Sequence, residues 1–224
     1  MPPSPPLVEV EAVCEVLVPP RVDELYFWAL QAGFSDGRRS YGGAHTGLQW
    51  HRRGRSGRAV NWGGYHDPRH GGAELDGSMP DLPALNASGN TMRYGWEPGR
   101  PYRFRIFPAE GAWRAEVTDV MREETTVIRD LYAGGDRLTD PVVWSEVFAR
   151  CAAPSVTVRW SGLRARTADG ALVSPRAVSV TYQSRRAGGC PNTTVEADEV
   201  GFLQTTCCER TVAEGTSLPV PDDD

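Results

Sequence analysis

Apolar and polar residues alternate with a period of two along most of the chain, the signature of half-buried strands. Val8 to Val18 sets Val8, Val10, Ala12, Cys14, Val16 and Val18 on one side and Glu9, Glu11, Val13, Glu15 and Leu17 on the other, and Pro19-Pro20 ends the run. Tyr26 to Phe34 gives Tyr26, Trp28, Leu30 and Phe34 one face and Phe27, Ala29, Gln31 and Ser35 the other. Ser40 to Tyr65 predicts a hairpin with a basic turn at 52–58. Its first strand places His45, Gly47, Gln49 and His51 together, with Ala44, Thr46, Leu48 and Trp50 behind them. Its second strand puts Val60 and Trp62 on one side and Asn61 and Tyr65 on the other. One face is therefore apolar and aromatic, and the other carries imidazole and amide groups.

A Gly-, Pro-, Asp- and Asn-rich stretch, 66–90, follows, too long for an ordinary connection. Further strands are expected at Thr91–Trp96, Tyr102–Phe107, Trp113–Val120, Thr125–Tyr132, Val142–Cys151, Ser155–Leu163, Ala177–Gln183, Thr193–Ala197 and Gly201–Thr206. Only Val22–Ala32 and Pro141–Arg150 compete as helices. Strands spaced by roughly 8–12 residues with Gly/Pro turns predict an all-β fold, a jelly-roll antiparallel β-sandwich with long loops. Residues 1–7 read as a flexible Pro-rich tail, 8–212 as one domain, and 213–224 as an acidic tail.

Charge and composition remove several functions. A net charge of −5 with no basic run beside stacking aromatics argues against nucleic acid. All 24 cations are Arg, so a Schiff-base or P-loop lysine is excluded. No apolar run reaches a membrane span and no secretory signal is visible, predicting a cytoplasmic chain or one whose leader has been removed. Cys14, Cys151, Cys190, Cys207 and Cys208 are odd in number, so at least one thiol is free. Cys151, before Ala-Ala-Pro, reads as a small hydrophobe.

The order Tyr26-Phe27-Trp28-Ala29, Gly33-Phe34-Ser35-Asp36-Gly37, a strand with Gly47 and Gln49, Tyr94-Gly95-Trp96-Glu97-Pro98-Gly99 and Tyr102-Arg103-Phe104 resembles the DUF3472 family of uncharacterised bacterial domains. The resemblance spans about residues 8–165. It implies a jelly-roll sandwich of the concanavalin/laminin-G type and brings no activity with it. The Gln49-Trp50-His51 triplet also resembles that of jelly-roll alginate-lyase-like enzymes, where an amide and an Arg neutralise a uronate while His or Tyr moves protons. The other two strand motifs of those enzymes are absent.

Candidate chemistry gathers on the polar hairpin face. Gln49 and His51, two apart on a strand, stand about 6–7 Å from each other on one side. Flat rings stack on sugar C–H faces while amides orient hydroxyls. The expected ligand-binding residues are His45, Gln49, Asn61, Trp62, Tyr65, Tyr94 and Trp96, and the expected ligand is a glycan or other small polar molecule. On the same face an enzyme reading uses His51 as acid/base. Glu146, embedded among Trp144 and Phe148, is the second catalytic candidate because apolar surroundings raise a carboxyl pKa. A scaffold that buries its aromatics against a partner is the third reading. His66, Asp67 and His70 form the candidate metal set, through which the loop could hold calcium; no other cofactor is expected.

Overall fold

The computed structural model describes residues 5–50, 57–67 and 72–221. Among these the chain is built from strands. The first half contributes β1 (Leu7–Val18), β2 (Tyr26–Ser35), β3 (Ser40–Trp50), β4 (Arg58–Tyr65) and β5 (Thr91–Arg93). The middle adds β6 (Pro101–Ala109), β7 (Ala112–Asp119), β8 (Glu124–Leu131), β9 (Arg137–Val147) and β10 (Thr157–Thr167). The remainder supplies β11 (Leu172–Val173), β12 (Ala177–Ser179), β13 (Thr193–Ala197), β14 (Phe202–Thr206) and β15 (Ser217–Pro219). Both stretches with a competing helical reading are strands, β2 and β9. Among the described residues no helix is long and apolar enough to cross a membrane.

The strands form two antiparallel layers. One runs β13-β14-β10-β1-β6-β7-β8 and the other β9-β2-β3-β4-β5. A single ladder pair, Leu7 with Leu138, joins them. The inner sides alternate as period-two patterning requires: Val10, Ala12, Cys14 and Val16 from β1 meet Trp28, Leu30, Ala32 and Phe34 from β2. Bonds cross the interior, with Trp62 Nε1 donating to the Trp113 carbonyl at 3.3 Å. The Phe34 and Trp113 rings stack at 5.2 Å. The expected all-β jelly-roll sandwich is the observed class of architecture.

Three expectations change. The stretch beginning at 213 is not wholly a tail, since Ser217–Pro219 pairs with Ala177–Ser179 as β12–β15. Cys151 is not merely a small hydrophobe: it is bonded to Cys190, while Cys14, Cys207 and Cys208 remain thiols. Trp62 and Trp96 have no exposed surface. Trp96 donates its indole N–H to the Gln49 carbonyl and packs edge-on against Trp28 at 5.8 Å, so both indoles are core and neither can stack on a ligand.

Candidate functional site

Register decides which side chains share the outer face of the β9-β2-β3-β4 layer. Residues paired across a ladder stand side by side on the same surface. Glu146 pairs with Phe27, Phe27 with Gln49, and Gln49 with Ala59, which makes one rung. The next is Trp144, Ala29, Gly47, Asn61 and Thr91. The third is Val142, Gln31, His45 and Gly63. His45, Gln49 and Asn61 therefore share a face, joined by Tyr65 two residues beyond Gly63 on β4. Positions 29, 47, 59 and 63 on that face are Ala or Gly, and the Asn90 side chain lies against Gly63.

The middle of this face is recessed and not displayed as a flat platform. Gln49 is 6% exposed, Asn61 4% and Phe27 3%. Asn61 Nδ2 donates to Thr91 Oγ1 at 3.1 Å, while its Oδ1 is buried without a partner. Among the described residues nothing hydrogen-bonds the Gln49 side-chain amide, although its backbone oxygen is used by Trp96. Phe27, His45 and Trp144 form an edge-to-face trio with centroids 5.0–5.5 Å apart. Trp144 Nε1 donates to Gln31 Oε1 at 3.1 Å, fixing the indole over the third rung. Phe27, Gln31 and Trp144 complete this face and were not among the residues expected to bind. Their parity was readable in the sequence, but their neighbours were not.

Two groups on this surface have displaced pKa values. Burial pushes the His45 imidazole down to about 4, so it is neutral at physiological pH. A base whose pKa falls on folding takes up protons more readily when unfolded. Stability should therefore decline as pH drops from the unfolded value of ~6.5 towards about 4, by ~2 kcal/mol after allowing for residual solvent contact. Denaturation at pH 7 and pH 4.5 should show this loss in the wild type and a smaller one in His45→Gln. Glu146 is exposed on β9; partial desolvation by its apolar neighbours raises its carboxyl from the ordinary value, and no Arg pairs with it among the described residues. Arg159 is held elsewhere, by Glu15 and Asp198 at 3.0 and 2.9 Å.

The remaining candidates lie elsewhere or outside the description. His51 and His70 fall outside the described residues. Tyr94 points away from this face: it is half-buried against Tyr102 at 5.9 Å, and desolvation pushes its phenol up to about 12. His66 and Asp67 are exposed in a turn closed by the Gly72 N–H to Asp67 carbonyl bond at 3.2 Å. Among the described residues no group of three or more His, Cys, Asp or Glu is placed to hold a metal ion. The 66–90 stretch serves the site as a wall, with Trp62 N–H bonded to the Asn90 carbonyl at 2.9 Å and the Asn90 side chain against Gly63. Buried Arg129 holds that wall through Ser88 at 2.9 Å.

No protein-family model and no curated protein matches the chain. Similar solved structures are peptidases. The structure of SCP-B, a member of the eqolisin family, with the tripeptide Ala-Ile-His has a TM-score of 0.48 at 9% identity, covering 90% of this chain and 92% of that one. Scytalido-glutamic peptidase with a peptide-based transition state analog gives 0.45 at 8% identity, with 91% and 93% covered. The same enzyme with a transition state analog inhibitor gives 0.42 at 11%, also with 91% and 93% covered. The likeness is one of overall β architecture.

Proposed function

We propose that the recessed amides on the outer face of β9-β2-β3-β4 bind a small neutral polyhydroxylated ligand of the saccharide class. One observation carries this reading: beside Gln49, whose side-chain amide has no bond among the described residues, Asn61 Oδ1 is fully buried without a partner among them. A buried polar group left unpaired costs about 1–3 kcal/mol, so such a group is normally completed by water or a ligand. The unpartnered Asn61 Oδ1, one rung away, offers a second acceptor. Hydroxyl groups, which donate and accept, match this pair. Trp144, partly exposed at the edge, supplies a ring for C–H contacts, and Glu146 beside it accepts hydroxyl donors. A glycan array probed with wild type and with Gln49→Met tests the reading. The apolar isostere should keep or raise thermal stability and weaken binding about tenfold or more. Undiminished binding by Gln49→Met would remove Gln49 from the site.

An enzyme on the same face is the second reading. The observation favouring it is a carboxyl on the same rung as the Gln49 amide, partly desolvated and without a counter-ion among the described residues. Such a carboxyl can carry a proton to a leaving oxygen, while the amide orients the bond being broken. Glu146→Gln would then retain ligand and lose turnover. Product analysis of any bound saccharide separates the two readings.

A further inference from the structure

On the inner side of β2, away from the Gln49 face, the close packing of the sandwich is interrupted. From residue 139 onward β9 has no ladder partner on the edge turned away from β2, because its register with β1 is the single pair at Leu138. A cleft of about 960 Å³ opens there, between residues 141–151 on one wall and the C-terminal strands on the other. Leu30, Val143, Leu163, Val180 and Phe202 make it largely apolar. Close-packed interiors have few such spaces, and this one is in the range of small-molecule sites.

Two features distinguish it from a packing defect. The walls are stapled at a fixed separation by the Cys151–Cys190 bond, and Asn192 Nδ2 adds a bond to the Cys151 carbonyl at 2.7 Å. The exposed edge of β9 is also partly capped: Gln204 Nε2 reaches the Val143 carbonyl at 3.5 Å, while Trp160 Nε1 donates to Gln204 Oε1 at 3.2 Å. One lining group is left over. Tyr26 has no exposed surface, and its hydroxyl has no partner among the described residues. Burial first, and then the nearby Glu24 carboxylate, push that hydroxyl's pKa up.

We propose that this cleft binds an elongated neutral apolar molecule with one hydrogen-bonding head, of the long-chain alcohol or ketone class, its head on Tyr26 Oη. The apolar body replaces water along Leu30, Leu163 and Phe202. The head completes the buried hydroxyl. Arg150 and Arg164 line the cleft, but a carboxylate head at Tyr26 Oη would be buried with Glu24 close by, which disfavours it there. Tyr26, where the head sits, projects from the side of β2 opposite Phe27, while Val142, Trp144 and Glu146 on β9 border both the cleft and the outer face.

The test uses the full oxidised chain and the neutral fluorescent probe N-phenyl-1-naphthylamine. Wild type should give saturable enhancement with one probe per chain, displaced by 1-dodecanol and about tenfold less effectively by dodecanoate at pH 7. Tyr26→Phe should keep the probe and weaken dodecanol about fivefold, without loss of thermal stability because it deletes an unpaired hydroxyl. Leu163→Trp, which fills the cleft, should abolish both; if that variant does not fold, Tyr26→Phe decides alone. Absence of saturable enhancement in wild type overturns the proposal. So does dodecanoate competing as well as dodecanol, or dodecanol affinity unchanged in Tyr26→Phe.

Discussion

Replacing Gly47 by alanine is expected to cost ~3 kcal/mol or more and to leave little folded protein at 37 °C. A Cβ at this position would lie 1.8 Å from the Trp28 carbonyl oxygen and 2.7 Å from Ala29 Cα. Both obstacles are backbone of the adjacent strand, so no rotamer change relieves them and β2 must separate from β3. Overpacking typically costs about 1–3 kcal/mol where side chains can yield, and here they cannot. The loss would reach the candidate site directly, because Gly47 lies on the rung between Ala29 and Asn61. Gly95→Ala is the matched control, since a Cβ there meets nothing within 4 Å. Urea denaturation of the two variants beside wild type measures the difference. Equal midpoints would mean that β2 and β3 are not as close as described.

Removing the Cys151–Cys190 bond should be the second large effect. The bond closes a loop with a sequence separation of 39, and the chain-entropy relation gives about 4 kcal/mol for a ring of that size. For a domain of this length such a loss lowers Tm by roughly 10 °C. The bond ties the segment after β9 to the segment before β13, so opening should be greatest at β13 and β14. Hydrogen exchange of Cys151→Ser/Cys190→Ser should rise there first and remain slow in β2 and β3, which pair with each other and with β9 and β4. The outer-face site should survive at temperatures below the lowered midpoint. The cleft beside β9 should not, because its walls lose their fixed spacing. Calorimetry with and without reductant on wild type, compared with the double variant, checks the magnitude.

What the sequence disclosed depended on how far apart the partners lie along it. The alternation in Val8–Val18 and the Ser40–Tyr65 hairpin needed only local information, since facing strands follow one another across a turn. His45, Gln49 and Asn61 could therefore be placed on one face from parity alone. The β2–β9 ladder joins residues more than a hundred positions apart, so the addition of Trp144 and Glu146 to the Phe27 and Gln49 face was beyond local patterning. Glu146 could be singled out for its apolar neighbours, but its rung could not. Trp62 and Trp96 misled for a different reason: an indole in an alternating run has the same spacing whether it stacks on a ligand or fills a core, and here both fill the core. The recessing of Gln49 was also hidden, because it follows from elements that close around the sheet and not from the strand itself. Cysteine spacing gave no pairing, and β15 was masked by an acidic, Pro-containing stretch.

The central claim is that the two recessed amides of the outer face complete their hydrogen bonds with ligand. The direct measurement is the ¹⁵N–¹H spectrum of the Gln49 and Asn61 side-chain amides, titrated with the strongest saccharide found on the array. The account predicts that both NH₂ pairs shift and saturate together, and that Glu146→Gln leaves their assignments intact while weakening the titration. An array without a binding saccharide, or saturation with both pairs unmoved, would contradict it.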